Sequence, residues 1–247
     1  MNEIDRLHAL ETFLARMRED VAGGAILVEG PRDREALESL GLGGTHIVLN
    51  QGESVDAVAD RLAGIGAATA ASELNRMGLR NCHIRGLVAL NLGHAVAGPA
   101  LTLQMMPKRE DLFSGGEYDN PDLQLHRNVM YPAQPGDMIV VDARGDMDSG
   151  IFGEMMLTFF AGRGGQGVVV DGCIRDSGHA RKLDLGIWAR GATPNYHAQT
   201  NIIPYAVNVP VACGGTFVMP GDIIVADDDG AVVVPIRLAE KLAEVTA

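Results

Sequence analysis

Val168-Val169-Val170-Asp171-Gly172-Cys173-Ile174-Arg175-Asp176 opens as an apolar, β-branched run and closes on an adjacent cation and carboxylate. Such a run reads as a buried strand, because branched side chains pack well on a pleated surface. The glycine at 172 reads as a turn, so Arg175 and Asp176 are expected at the mouth of the strand. Gly153-Glu154 stands before it, with twenty residues between Glu154 and Arg175. Residues 153–160 read as the start of a helix. A helix N-terminus carries unpaired N–H groups and the positive end of the dipole, so it binds carboxylates. Gly153 lets the backbone approach a ligand closely, and the amides of Met155 and Met156 fall in the first turn. A guanidinium offers a fork of donors to a carboxylate, and Asp176 has the oxygen chemistry that Mg²⁺ or Mn²⁺ takes, with waters completing the shell. An isolated Arg-Asp pair reads first as a solvated ion pair capping a turn, so only the surrounding pattern can argue for a site.

Around this stretch the chain alternates short strands with helices. Residues 69–79 read as a helix, 84–87 and 95–104 as strands, and 138–142 as a further strand. A helix over 179–185 separates 168–171 from a strand over 187–190. Two late strands, 222–226 and 231–234, flank Asp227-Asp228-Asp229-Gly230, a strong hairpin signal, and a final amphipathic helix runs over 236–245. The polar stretch 107–128 reads as a long loop, a candidate lid or subunit contact. The fold class is α/β.

Composition excludes several functions. The formal charge is −12 with no basic tract, which argues against binding a phosphate backbone. No apolar run approaches a membrane span, and the N-terminus lacks a signal-peptide core. Cys82, Cys173 and Cys213 are too few and scattered for a disulfide framework or a zinc site, as in a reducing cytoplasm. Lys108, Lys182 and Lys241 are the only lysines. None sits in an apolar strand where desolvation would suit it to Schiff-base chemistry, which disfavours a lysine-dependent aldolase and leaves a metal as the better electron sink if the chain is a lyase.

From about Ala67 to the C-terminus the order of blocks resembles the RraA-like family, which includes class II 4-hydroxy-4-methyl-2-oxoglutarate aldolases and a regulator of ribonuclease E. The blocks are Ala70-Ala71-Ser72-Glu73-Leu74-Asn75-Arg76-Met77-Gly78, Ala97-Gly98-Pro99-Ala100-Leu101-Thr102, Pro135-Gly136-Asp137, the acid–arginine–aspartate motif, Cys213-Gly214-Gly215, Pro220-Gly221-Asp222 and 226–235. The resemblance implies an α-β-β-α layered sandwich over residues 65–247, assembled as a homotrimer or homohexamer with sites between subunits. It implies a metal-dependent lyase acting on a small 2-oxo acid, with oxaloacetate decarboxylation as a companion activity. By the same resemblance Asp176 would take the metal, and Arg175 would face the substrate carbonyl oxygen. Glu154, where characterised aldolases often carry Asp, is implied to position metal-bound water, and the Gly153, Met155 and Met156 backbone to receive the substrate carboxylate. The intact motif disfavours the regulator, which lacks the full set. The rivals are a regulator that binds a ribonuclease and a lyase of another 2-oxo or sugar acid.

Residues 1–64 stand apart. A helix over 6–20 precedes a βαβα pattern whose Val28-Glu29-Gly30, followed by Asp33, resembles half of a small Toprim domain without its metal-binding second half. Packing, oligomerisation or partner contact is the expected role. Elsewhere, His197 is a loop histidine, substrate-facing or solvated. Asp142, Arg144 and Asp146 line a pocket or stabilise a turn. The Asp227–Asp229 run reads as a turn rather than a metal site. Met155-Met156 and Phe159-Phe160 read as helix core, and Cys173 as a small buried hydrophobe.

Overall fold

The computed structural model describes residues 25–28, 37–38, 42, 45–48, 54–111, 124–196 and 202–246. The chain divides into two compact units, Met1–Val55 and Asp56–Ala247, ahead of the boundary expected at residue 64. In the first unit β1 (Ala25–Val28) and β2 (Thr45–Val48) pair parallel. Parallel neighbours need a crossover, and Leu37 and Glu38 between them are helical. The helix expected over 6–20, together with Glu29, Gly30 and Asp33 of the Toprim-like pattern, lies outside the described residues.

The second unit opens with α1 (Val55–Ala63) and α2 (Ala67–Arg76). Then come β3 (His83–Ile84), β4 (Val88–Ala89) and the twelve-residue β5 (Val96–Pro107). The single strand expected over 84–87 is split, because Gly86 turns at φ 79°. After the short helix α3 (Leu125–Asn128) comes β6 (Met138–Gly150), α4 (Glu154–Gly162), β7 (Gly167–Ile174), the one-turn α5 (Ser177–Ala180) and β8 (Gly186–Ala192). The chain closes with β9 (Ile202–Val207), β10 (Val211–Cys213), β11 (Thr216–Val218), β12 (Ile223–Asp227), β13 (Gly230–Val234) and α6 (Ile236–Val245).

Among the described residues one sheet runs in the order β3-β13-β12-β5-β6-β7-β8-β4, with β9 paired to β5 as well. Strands β5 to β8 are parallel, and β12, β13, β3, β4 and β9 join antiparallel. The parallel centre is buried on both faces, which is why β7 reads as an unbroken apolar run. Alternation sorts its side chains. Ile139, Val141, Val168, Val170, Ile187 and Ala189 pack with Leu157 and Phe160 of α4 and Ala180 of α5. On the other face Met138, Val140, Val169 and Trp188 meet Val211, Cys213 and Val218 of the β10–β11 hairpin and Ile224, Ala226, Ala231 and Val233 of β12–β13. Helices α2 and α6 pack together, and α2 lies on β12 and β13. The result is the α-β-β-α layering that the resemblance implied.

The hairpin at 227–230 is a turn, as its sequence suggested: Asp227 Oδ1 accepts the Asp229 N–H at 2.9 Å, and Oδ2 accepts the Ala67 N–H at 2.8 Å. All three cysteines are free and buried. Among the described residues no helix is long and apolar enough to cross a membrane.

Candidate active site

Strands β6 and β7 are adjacent and parallel, joined through α4, so their C-terminal ends open on the same edge of the sheet. Ligands bind at this edge in open α/β sheets. Backbone bonds lock the two ends together: Ile151 N–H donates to Cys173 O and Arg175 N–H to Phe152 O, both at 2.9 Å. Two further bonds bring in the next segment, from Gly150 N–H to Asn195 O and from Thr193 N–H to Ile174 O, again at 2.9 Å. The twenty-residue spacing is therefore the length of one helical crossover that returns the chain beside itself.

Gly172 is not a turn. The strand continues through it to Ile174, and a Cβ at 172 would stand 2.8 Å from the Ala143 Cβ and 3.0 Å from the Asp146 carbonyl oxygen. The glycine is there because β6 passes too close for a side chain. Arg175 and Asp176 follow the strand end, as expected.

Asp176 adopts a left-handed backbone, φ 55° and ψ 34°. Asp tolerates that region better than most residues, and strained non-glycine positions gather at functional sites. This bend turns its carboxylate across to α4, where Oδ2 accepts the Glu154 N–H at 3.2 Å. Asp176 thus caps a helix whose own N-cap, Gly153, has no side chain to do so. Arg175 Nε lies 3.7 Å from the same Oδ2. A Cβ on Gly153 would come within 2.5 Å of Asp176 Oδ2 and 2.7 Å of Arg175 Nε. Glycine at 153 is what lets the two charged groups close over the helix end.

In the first turn the Met156 and Leu157 N–H groups both donate to Gly153 O at 3.1 Å. The Met155 N–H has no hydrogen-bond partner among the described residues. Of the two amides expected to receive a carboxylate, Met155 is the open one. Glu154 Oε1 faces His179 Nδ1 at 3.7 Å, with both side chains largely exposed.

Gly153, Met155, Met156 and Arg175 line a cavity of about 50 Å³ together with Gly150, Ile151, His126, Arg127 and Tyr196. The last three were not picked out from sequence. His126 and Arg127 come from α3, at the end of the stretch read as a lid or subunit contact. A His-Arg pair in an acidic chain was the available signal. Tyr196 adjoins His197, which lies outside the described residues. Asp142 and Asp146 serve turns: Asp142 Oδ1 accepts the Arg144 N–H at 3.1 Å and Asp146 Oδ2 the Ser149 N–H at 2.7 Å. The helix-core reading of 155–160 needs correction. Phe160 is fully buried, but Met155 is 78% exposed and Phe159 44%. The α4 axis sets only one stripe against the sheet, and these two residues lie off it.

No group of three or more His, Cys, Asp or Glu side chains able to hold a metal occurs among the described residues. That donor set does not fit a zinc-type cage of protein ligands. It does fit Mg²⁺ or Mn²⁺, which binds through one or two carboxylates, waters and substrate oxygens. Asp176 is 45% exposed and positioned by a backbone amide, an oriented carboxylate open to solvent.

The model of the RraA-like family (Aldolase/RraA) matches residues 55–233. The chain belongs to the RraA-like family. A Halalkalibacterium halodurans protein with the provisional name 4-hydroxy-4-methyl-2-oxoglutarate aldolase is 40% identical over 146 residues, 59% of this chain and 62% of that protein. A Deinococcus radiodurans protein of the same provisional name is 35% identical over 106 residues, 43% of this chain and 65% of its own length. The chain thus spans a little under two thirds of these curated relatives. Among solved structures, Streptomyces coelicolor RraAS2, described as an unusual member of the RNase ES inhibitor RraA protein family, superposes with a TM-score of 0.71 at 40% identity. That likeness covers 79% of this chain and 92% of the Streptomyces chain.

Proposed function

We propose that this RraA-like protein is a divalent-metal-dependent lyase. Its substrate would be a 4-hydroxy-2-oxo acid of the 4-hydroxy-4-methyl-2-oxoglutarate type, cleaved to pyruvate, with oxaloacetate decarboxylated in the same site. The observation that carries this reading is the cradle at Gly153, where Arg175 and the oriented Asp176 carboxylate close over the N-terminus of α4, beside a small cavity lined by Gly153, Met155, Met156 and Arg175. The provisional names of the two curated relatives support the same chemistry.

Asp176 would hold Mg²⁺ or Mn²⁺, which supplies Lewis-acid polarisation of the 2-oxo group when bound. The chain's own groups do the rest. The Met155 N–H and the positive end of α4 take the substrate 1-carboxylate. Arg175 stabilises negative charge at the carbonyl oxygen as the C3–C4 electron pair moves toward C2. The C4 hydroxyl loses its proton as C4 becomes a carbonyl, and C3 gains one to give pyruvate. Glu154, with His179 beside it, would accept the first proton and return the second. In oxaloacetate the departing group is carbon dioxide, so only the protonation at C3 is needed. Ring-like homo-oligomers of the family type are part of this proposal.

The test is pyruvate release from both substrates by the full-length protein, with Mg²⁺ and with EDTA. Metal-dependent release from both supports the lyase, whereas release from oxaloacetate alone keeps the chemistry and changes the substrate. The likeness to RraAS2 favours a second reading, a regulator that binds a ribonuclease. No release from either substrate by a folded protein would put that reading first.

A further inference from the structure

Beside the small cavity lies a second one, of about 250 Å³, walled by Met130, Tyr131, Met155, Met156 and Phe159, with Arg127 at its edge. Arg127, Met155 and Met156 line both cavities, so the two adjoin. The wall is built rather than incidental. The Tyr131 and Phe159 rings meet edge to face, with centroids 5.8 Å apart and planes at 89°. Arg163 fixes the segment carrying Tyr131 by donating to Tyr131 O at 3.2 Å and Ala133 O at 2.9 Å. Yet Tyr131 is 55% exposed, Met155 78% and Phe159 44%. Large apolar side chains left open beside a polar cradle mark a binding surface.

We infer that this chamber is a specificity subsite for the C4 side of the substrate, and that it selects 4-hydroxy-2-oxo acids carrying an apolar C4 group larger than methyl. The inference rests on the lyase reading. A substrate whose 1-carboxylate sits at the Met155 amide and whose 2-oxo oxygen faces Arg175 must send C4 out of the small cavity. The side chains common to both cavities, Arg127, Met155 and Met156, put the apolar chamber next to that exit. A methyl group would leave that chamber almost empty, whereas an apolar cavity of about 150 Å³ is enough to take up a benzene ring. Each methylene that enters should raise kcat/KM about twofold to fourfold, the gain of removing it from water.

The experiment compares kcat/KM for pyruvate release by the full-length protein on 4-hydroxy-2-oxo acids with hydrogen, methyl, propyl or phenyl at C4, with oxaloacetate alongside. The inference expects a rise from hydrogen through propyl. In Phe159→Asp and Tyr131→Ser the propyl-to-hydrogen ratio should fall toward one. That ratio is taken within each variant, so partial loss of folding cancels. A flat or falling series while oxaloacetate is still turned over would overturn the subsite and leave the lyase standing. A loss of oligomer mass in Phe159→Asp would then mark the face as a contact between copies. No pyruvate from any substrate, oxaloacetate included, would overturn the lyase reading and the subsite with it.

Discussion

Gly153 is constrained by the charged pair itself. A methyl group there would stand inside the contact distance of both Asp176 and Arg175, so Gly153→Ala must push the charged pair away from α4. We expect turnover to fall by about a hundredfold or more, the scale of removing one oriented transition-state donor, with the circular dichroism spectrum unchanged; activity close to that of wild type would refute the cradle. Arg175→Lys keeps the charge but loses the planar fork, and should slow turnover in the same assay. Asp142 gives a different prediction. Burial, and secondarily the nearby Asp171, pushes its pKa above the ordinary carboxylate value, while the Arg144 and Ala212 amides and the Arg144 charge pull it down. Folding then favours its protonated form, so this contribution is full below the unfolded value and is lost as pH rises through the raised one. Asp142→Asn should flatten the fall in stability across that window and hold or raise Tm at pH 7, as read by thermal melts at several pH values. The motif residues were legible because their chemistry is local in sequence. His126, Arg127 and Tyr196 were not, because only the docking of α3 and the ladder at Asn195 bring them to the cavity.

At the scale of elements, the sequence misjudged lengths more than identities. Strand β6 was expected to end at Asp142 yet runs to Gly150. Its second half is charged and irregular, with two register shifts against β7, so no alternation survived to be read. Helix α5 starts early and ends early. The Asp176 bend starts it at Ser177, and the chain leaves it so that Leu183 and Leu185 can pack against the sheet. The hairpin and α6 were legible because Asp-Asp-Gly and a 3.6-residue apolar stripe are strong local signals. Asp222 ties these last elements together. It is nearly buried, and its two oxygens accept the Met219 N–H at 2.8 Å and the Ile236 N–H at 3.2 Å, at the start of α6. Asp222→Ala leaves both donors unsatisfied and should cost about 1–3 kcal/mol in urea unfolding; no change in the midpoint would show that solvent replaces these bonds.

For the whole molecule, a net charge of −12 sets what can approach it. Phosphate backbones are repelled, so gel-shift assays with RNA at about 0.1 M salt should show no retention. A small anionic acid of the proposed kind would depend on the local field at Arg175 and the α4 N-terminus to overcome that charge. The order of sequence blocks made the layered architecture readable, because each block closes a strand or opens a helix of the same sandwich. The first unit was less readable, since a βαβα pattern specifies two parallel strands but not what they serve. The measurement that bears most directly on the lyase is the pairing of Mn²⁺ binding, followed by electron paramagnetic resonance, with pyruvate release from 4-hydroxy-4-methyl-2-oxoglutarate, for wild type and Asp176→Ala. Wild type should bind Mn²⁺ and release pyruvate, and Asp176→Ala should lose both while remaining folded. Pyruvate release that survives in Asp176→Ala would contradict the account.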